Sequence, residues 1–251
     1  MSEFHDSTQP TKAKAHAASC GRLPPMPHAD AFMLTVTSLS KRFGDTPVFH
    51  DVTLQLPRGE FVALLGESGV GKSTLLNCIA GLDRADSGSV HIAGTDLAAL
   101  NDDGCARLRR EQLGFVFQAF HVLPHLTVAE NVSLPLRLQG RHAEPTGPAR
   151  VATLLAAVGL QGLGERLPAQ LSGGQLQRVA IARAVVHAPG LILADEPTGN
   201  LDPDTARLVL DVLRAEVQNT GAACLLVTHS EAAAARADRV LRLTANGIVA
   251  A

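Results

Sequence analysis

From Met33 onward the chain alternates between hydrophobic periods of two and of about 3.6, and each change of period marks a new element. Leu34, Val36 and Leu39 predict a short strand. Val48, Val52, Leu54 and Leu56 share one parity, as a half-buried antiparallel strand requires. Residues 61–65 (FVALL) are an unbroken apolar run leading into a glycine-rich turn, after which Leu75, Leu76, Ile79 and Leu82 recur at helical spacing. Residues 90–93 predict another strand. From about residue 102 to 171 the texture changes to a charged helical segment (ARLRREQ), a short strand (LGFVF), a proline-interrupted loop and an Ala/Leu helix (VATLLAAVGL). Helix 175–187, strand 191–194, helix 204–218, strand 223–227, helix 230–236 and strand 239–243 then follow in turn. That alternation implies parallel strands joined by crossover helices.

Residues 1–32 carry neither period and are rich in Ala, Pro, His and small polar residues, so a disordered tail is expected, with translation starting at Met26 or Met33 as a companion expectation. With 46% hydrophobic residues, the chain as a whole has ample material for a packed core. The formal charge of −2 disfavours a basic field for nucleic acid or anionic lipid. Trp and Tyr are absent, so the stacking platforms of a single-strand binder would have to come from Phe or His. No apolar run approaches the ~18 residues of a membrane span, and the first residues lack the order of a secretory signal, so a cytoplasmic protein is expected. Cys20, Cys78, Cys105 and Cys224 lie far apart and read as free thiols in a reducing compartment.

Gly66-Glu67-Ser68-Gly69-Val70-Gly71-Lys72-Ser73-Thr74 satisfies G-x-x-x-x-G-K-[ST] between a strand and a helix, the context this motif requires. Its glycines let successive backbone N–H groups turn inward around phosphate oxygens, and the helix N-terminus adds unpaired donors. Lys72 supplies charge to the β- and γ-phosphates, and the Ser73 hydroxyl can ligate Mg²⁺. A chance glycine-rich turn with these fixed positions arises on the order of 1% of the time in a chain of this length, so nucleoside triphosphate binding is the expectation.

The strand LILADE ends in Asp195 and Glu196, where ligands gather beyond the C-terminal ends of parallel strands. Asp195 would hold Mg²⁺ through a water, and Glu196 would polarise the attacking water. Alone, such a pair also suits a solvated turn. Gln118, after LGFVF, reads equally as a Mg²⁺ or water ligand and as a polar loop residue. His121 and His125 have metal-compatible spacing, but Pro124 between them favours an ordinary loop.

Leu171-Ser172-Gly173-Gly174-Gln175 opens the helix QLQRVAIARAVV and makes a second phosphate-cradling helix N-terminus. With the phosphate loop and LILADEPT, it resembles the nucleotide-binding subunit of ATP-binding cassette (ABC) transporters over roughly residues 33–249. The resemblance implies an α/β fold: a P-loop NTPase core with a parallel sheet, an antiparallel β subdomain and an inserted helical subdomain at about 102–174, within an ATP-binding domain at 33–251. It implies ATP and Mg²⁺ as cofactors and a head-to-tail homodimer in the ATP state, each nucleotide lying between one copy's phosphate loop and the other's Ser172, Gly173, Gly174 and Gln175.

Residue by residue, the same resemblance implies that Phe43 stacks on adenine, where Tyr is commoner. Ser73, Gln118 and Asp195 serve the Mg²⁺ site, and Glu196 and His229 are catalytic. Asp202 communicates across the dimer. Leu176 and Ser230 depart from the usual Gln and Asp without touching a catalytic position, and Ser230 keeps a capping hydroxyl. The strings GFVFQAFHVLPHLTVAENVSLPL and ADEPTGNLD resemble the bacterial branch serving lipoprotein release, macrolide or peptide export and cell division. No C-terminal regulatory domain is expected. The implied partners are integral membrane permease subunits at the inner face of the cell membrane, contacted through residues 118–131, and no nucleic acid. Two alternatives stand beside this reading: a mechanotransmitting ATPase without transport, and a soluble ABC ATPase. The second generally carries coiled coils, zinc modules or duplicated cassettes, which are not seen here.

Overall fold

A computed structural model describes residues 32–250 apart from 143, 200, 245 and 246. The expected tail lies outside the described residues except for Phe32. The chain opens with β1 (Phe32–Phe43) and β2 (Thr46–Pro57), then β3 (Phe61–Leu65), α1 (Lys72–Ile79), β4 (Ser87–Ile92) and β5 (Thr95–Asp96). Next come α2 (Asp102–Gln112), β6 (Leu113–Val116), α3 (Val128–Leu138) and α4 (Thr146–Ala157). The remainder is α5 (Gly173–Val185), β7 (Leu191–Asp195), α6 (Pro203–Thr220), β8 (Ala223–Thr228), α7 (Glu231–Ala234), β9 (Arg239–Thr244) and β10 (Gly247–Ala250).

Two sheets result. A four-stranded antiparallel sheet has the order β2-β1-β4-β5, and a six-stranded sheet has the order β10-β9-β3-β8-β7-β6. Every neighbouring pair in the larger sheet is parallel except β9 with β10. The unbroken apolar run of β3 has a direct cause: both of its faces are covered. Phe61, Ala63 and Leu65 point into a core shared with α3, α4, α5 and α6, whereas Val62 and Leu64 point into a second core with β1, β2, β4 and α1. Strands β7 and β8 divide their residues between the same two cores. The architecture is therefore the expected mixture of a helix-flanked parallel sheet and an antiparallel sheet.

Several elements differ from the periodicity reading. The first strand is twelve residues long, since Met33, Leu34, Val36 and Leu39 face the core while register shifts along β1 interrupt the alternation. Helix α1 ends at Ile79, and Leu82 is exposed beyond it. The expected helix 230–236 contracts to four residues. The edge strand β10, the short β5 and helix α3 were not predicted. At Gly114 in β6, an added Cβ would stand 2.2 Å from the Ala184 carbonyl oxygen, so only glycine lets α5 lie this close to the strand.

Candidate active site

The C-terminal ends of four neighbouring parallel strands deliver the chemistry. β3 leads into the 66–74 loop, β8 ends at Thr228 and His229, β7 ends at Asp195 and Glu196, and β6 leads to Gln118. Gly71 caps α1 from the left-handed region, with φ 98°. There an added Cβ would fall 2.5 Å from Val48 Cγ1, so both backbone conformation and space demand glycine. Lys72, the first helical residue, is buried and donates to the carbonyls of Gly66 and Glu67, each at 2.8 Å. Those bonds use two of its three ammonium hydrogens and fix the lysine across the loop.

A cleft of about 380 Å³ is lined by Phe43, Val48, Ser68, Gly69, Gly71, Lys72, Ser73, Thr74, Gln118, Asp195 and Glu196. A second of about 380 Å³ adjoins it, sharing Ser68, Lys72, Gln118 and Glu196 and adding Gly199 and His229. Phe43 is 58% exposed, which decides against a core role, and the Lys41 ammonium lies 5.0 Å from its ring centroid.

Burial pushes the Asp195 carboxyl above its usual range; the nearby Ser73 hydroxyl opposes that rise, Glu196 reinforces it, and Lys72 opposes it. Asp195 Oδ1 is buried and has no hydrogen-bond partner among the described residues. An orphaned carboxylate oxygen, the adjacent Ser73 hydroxyl and the Gln118 side chain lining the same cleft can supply an all-oxygen donor set, which suits Mg²⁺.

Glu196 has φ 46°, a left-handed conformation that costs energy for a residue with a Cβ. Its N–H donates to the Val227 carbonyl at 2.9 Å. Glu196 Oε1 is 2.9 Å from His229 Nδ1, and Oε2 accepts from the Thr228 hydroxyl at 3.2 Å. A carboxylate can only accept, so it selects the tautomer of His229 that carries its proton on Nδ1. Such a pair can hold a water and receive its proton.

Ser172–Gln175 stands apart, lining neither cleft. Ser172 caps α5 in a reciprocal box: its Oγ accepts from Gln175 N–H at 3.3 Å, and Gln175 Oε1 accepts from Ser172 N–H at 2.8 Å. Asp202 is likewise outside both clefts and caps α6, accepting from the N–H groups of Asp204 and Thr205. These bonds, with that to the Thr205 side chain foremost, hold its carboxyl below the usual range. Thr228 and Val48 escaped the sequence reading. The only available signal was their position, one immediately before His229 and the other in the hairpin beside Phe43.

Residues 49–199 match the family model ABC_tran, described as ABC transporter. The lipoprotein-releasing system ATP-binding protein LolD of Anaeromyxobacter dehalogenans (strain 2CP-C) is 50% identical over 205 residues, covering 82% of this chain and 86% of that protein. The macrolide export ATP-binding/permease protein MacB of Burkholderia pseudomallei (strain 1710b) is 45% identical over 221 residues, which are 86% of this chain but 34% of MacB. Among solved structures, the dimer of MJ0796, a bacterial ABC transporter cassette, superposes with TM-score 0.80 at 37% identity, covering 86% of this chain and 96% of that one. The same figures hold for its post-hydrolysis state bound to ADP and Pi. This chain therefore belongs to the ABC transporter family and is one of its ATPases.

Proposed function

We propose that this chain hydrolyses ATP to drive membrane permease partners that release lipoprotein, working as a peripheral subunit on the inner face of the cell membrane. The convergence of a phosphate loop, a buried acidic residue and a glutamate–histidine pair on adjoining clefts carries the reading. Lipoprotein release is favoured over macrolide export because a LolD protein matches at 50% identity and MacB at 45%. The working unit is residues 33–251, with a helical subdomain at about 102–174.

In this scheme the adenine stacks on Phe43. Backbone N–H groups of residues 66–74 and the Lys72 ammonium grip the β- and γ-phosphates. Ser73, Asp195 and Gln118 would hold Mg²⁺, which when bound neutralises charge on those phosphates. Glu196 takes the proton of the attacking water, while His229 orients that carboxylate and reaches the γ-phosphate. Ser172, Gly173, Gly174 and Gln175 of a second copy close the site from the opposite side, and Asp202 relays the state of one site to the other. Two half-sites on one chain, one of them outside the cleft, support this head-to-tail arrangement.

Glu196→Gln tests the assignment. The variant is expected to bind ATP as the parent does and to lose at least about 100-fold in steady-state phosphate release. Hydrolysis at the parental rate would overturn the role given to Glu196.

A further inference from the structure

Three consecutive residues, Val227 and Thr228 of β8 and His229 just past its end, hold Glu196. The Val227 carbonyl accepts its N–H at 2.9 Å, the Thr228 hydroxyl donates to Oε2 at 3.2 Å, and His229 Nδ1 meets Oε1 at 2.9 Å. The two side-chain contacts are not equivalent. Thr228 is fully buried within the strand, whereas the His229 side chain is 70% exposed. The Thr228 oxygen also accepts the Ser230 N–H at 3.0 Å, at the residue that caps α7. A hydroxyl whose lone pair is already tied to a fixed backbone donor has its own hydrogen turned elsewhere, here onto Glu196.

We propose that Thr228 is a positioning residue for hydrolysis: its hydroxyl is the immobile arm that aims the Glu196 carboxylate, leaving His229 free to leave Oε1 for the phosphate. The glutamate needs such an arm because its backbone sits in the left-handed region at φ 46°. Nothing in that local conformation directs its side chain, and a carboxylate held by one exposed imidazole would swing whenever the imidazole moved. The inference rests on Glu196 acting on the water, as proposed above.

The test measures ATP turnover by the full chain carrying Thr228→Val, Thr228→Ala or Thr228→Ser, alone and combined with Glu196→Gln. Loss of the hydroxyl in the Val and Ala variants is expected to lower kcat about tenfold with little change in KM for ATP, and Ser is expected to restore kcat to within about twofold of the parent. In the Glu196→Gln background, removing the hydroxyl is expected to change single-turnover hydrolysis less than twofold, because its effect passes through that carboxylate. Thermal midpoints identify a hydroxyl-free variant that fails to fold, and either Val or Ala suffices. Parental kcat in a folded Val or Ala variant, or an equal tenfold loss on top of Glu196→Gln, would overturn the positioning role. Parental activity of Glu196→Gln alone would instead overturn the assignment beneath it.

Discussion

Gly71 and Asp195 show how single residues set the chemistry of this site. Gly71 combines a left-handed φ of 98° with the Val48 methyl 2.5 Å from where its Cβ would be. Gly71→Ala is therefore expected to lower the thermal midpoint and weaken ATP binding at least about tenfold. Adding Val48→Ala should recover only part of both, because it relieves the contact and leaves the backbone strain. Titration with a fluorescent ATP analogue and a melting curve check both expectations, and full recovery in the double variant would show that contact alone mattered. The requirement for glycine here was legible in the sequence, since the motif spacing named the residue. The Thr228 contact was not: a threonine ending a β-strand is common, and its value depends on Glu196 arriving from another strand.

Helix α3 illustrates the element scale. The sequence reads as a proline-interrupted loop between LGFVF and VATLLAAVGL, yet the helix runs from Val128 to Leu138 with Pro135 inside it. The signal for it was present in Thr127-x-x-Glu130, which forms a reciprocal capping box. Asn131, fully buried, then ties the preceding turn: its Oδ1 accepts from Leu123 N–H, and its two amide hydrogens are shared among the carbonyls of Leu123, Leu126 and Thr127. These local bonds fix the start of the helix, and Val128, Val132 and Leu136 anchor it in the core shared with α4 and α5, so the segment stays helical with a proline inside it.

A comparable knot fastens α4 to α5 and α6. Arg150 donates to the carbonyls of Val185 and Val186 at the end of α5 and to Glu216 Oε1 at 2.6 Å. Burial raises the Glu216 carboxyl above its usual range, and Arg150 opposes that rise. Arg150→Ala is expected to cost about 3 kcal/mol at neutral pH, because it leaves a buried carboxylate and two helix carbonyls unpaired. A carboxyl raised on folding favours the folded state at low pH and loses that advantage as pH rises through its folded value. Since the variant raises Glu216 further, its deficit should shrink on acidification and grow toward neutrality. Urea unfolding across that range checks the sign; a deficit independent of pH would assign the loss to the carbonyl bonds alone.

For the whole molecule, the separation of Ser172–Gln175 from the clefts is the governing fact. A monomer carries one phosphate loop and, elsewhere on its surface, one further glycine-rich helix start whose polar groups cap each other. With saturating Mg-ATP, Glu196→Gln is expected to scatter light as a dimer. Ser172→Arg in the same background should remain monomeric while still binding nucleotide. Monomers in both cases would remove the head-to-tail arrangement. The sequence by itself determined the phosphate loop, the acidic strand end, the second glycine-rich helix start and the alternation of parallel strands with helices. Each of these is a local pattern, written in consecutive residues by backbone stereochemistry and hydrophobic period. Only the tertiary structure decided that Phe43 is exposed at the cleft, that Asp195 Oδ1 is buried without a partner among the described residues, and that Val227, Thr228 and His229 converge on Glu196. Those relations join residues from different strands, and strand order is fixed by how two hydrophobic cores close on opposite faces of one sheet, which no single segment encodes.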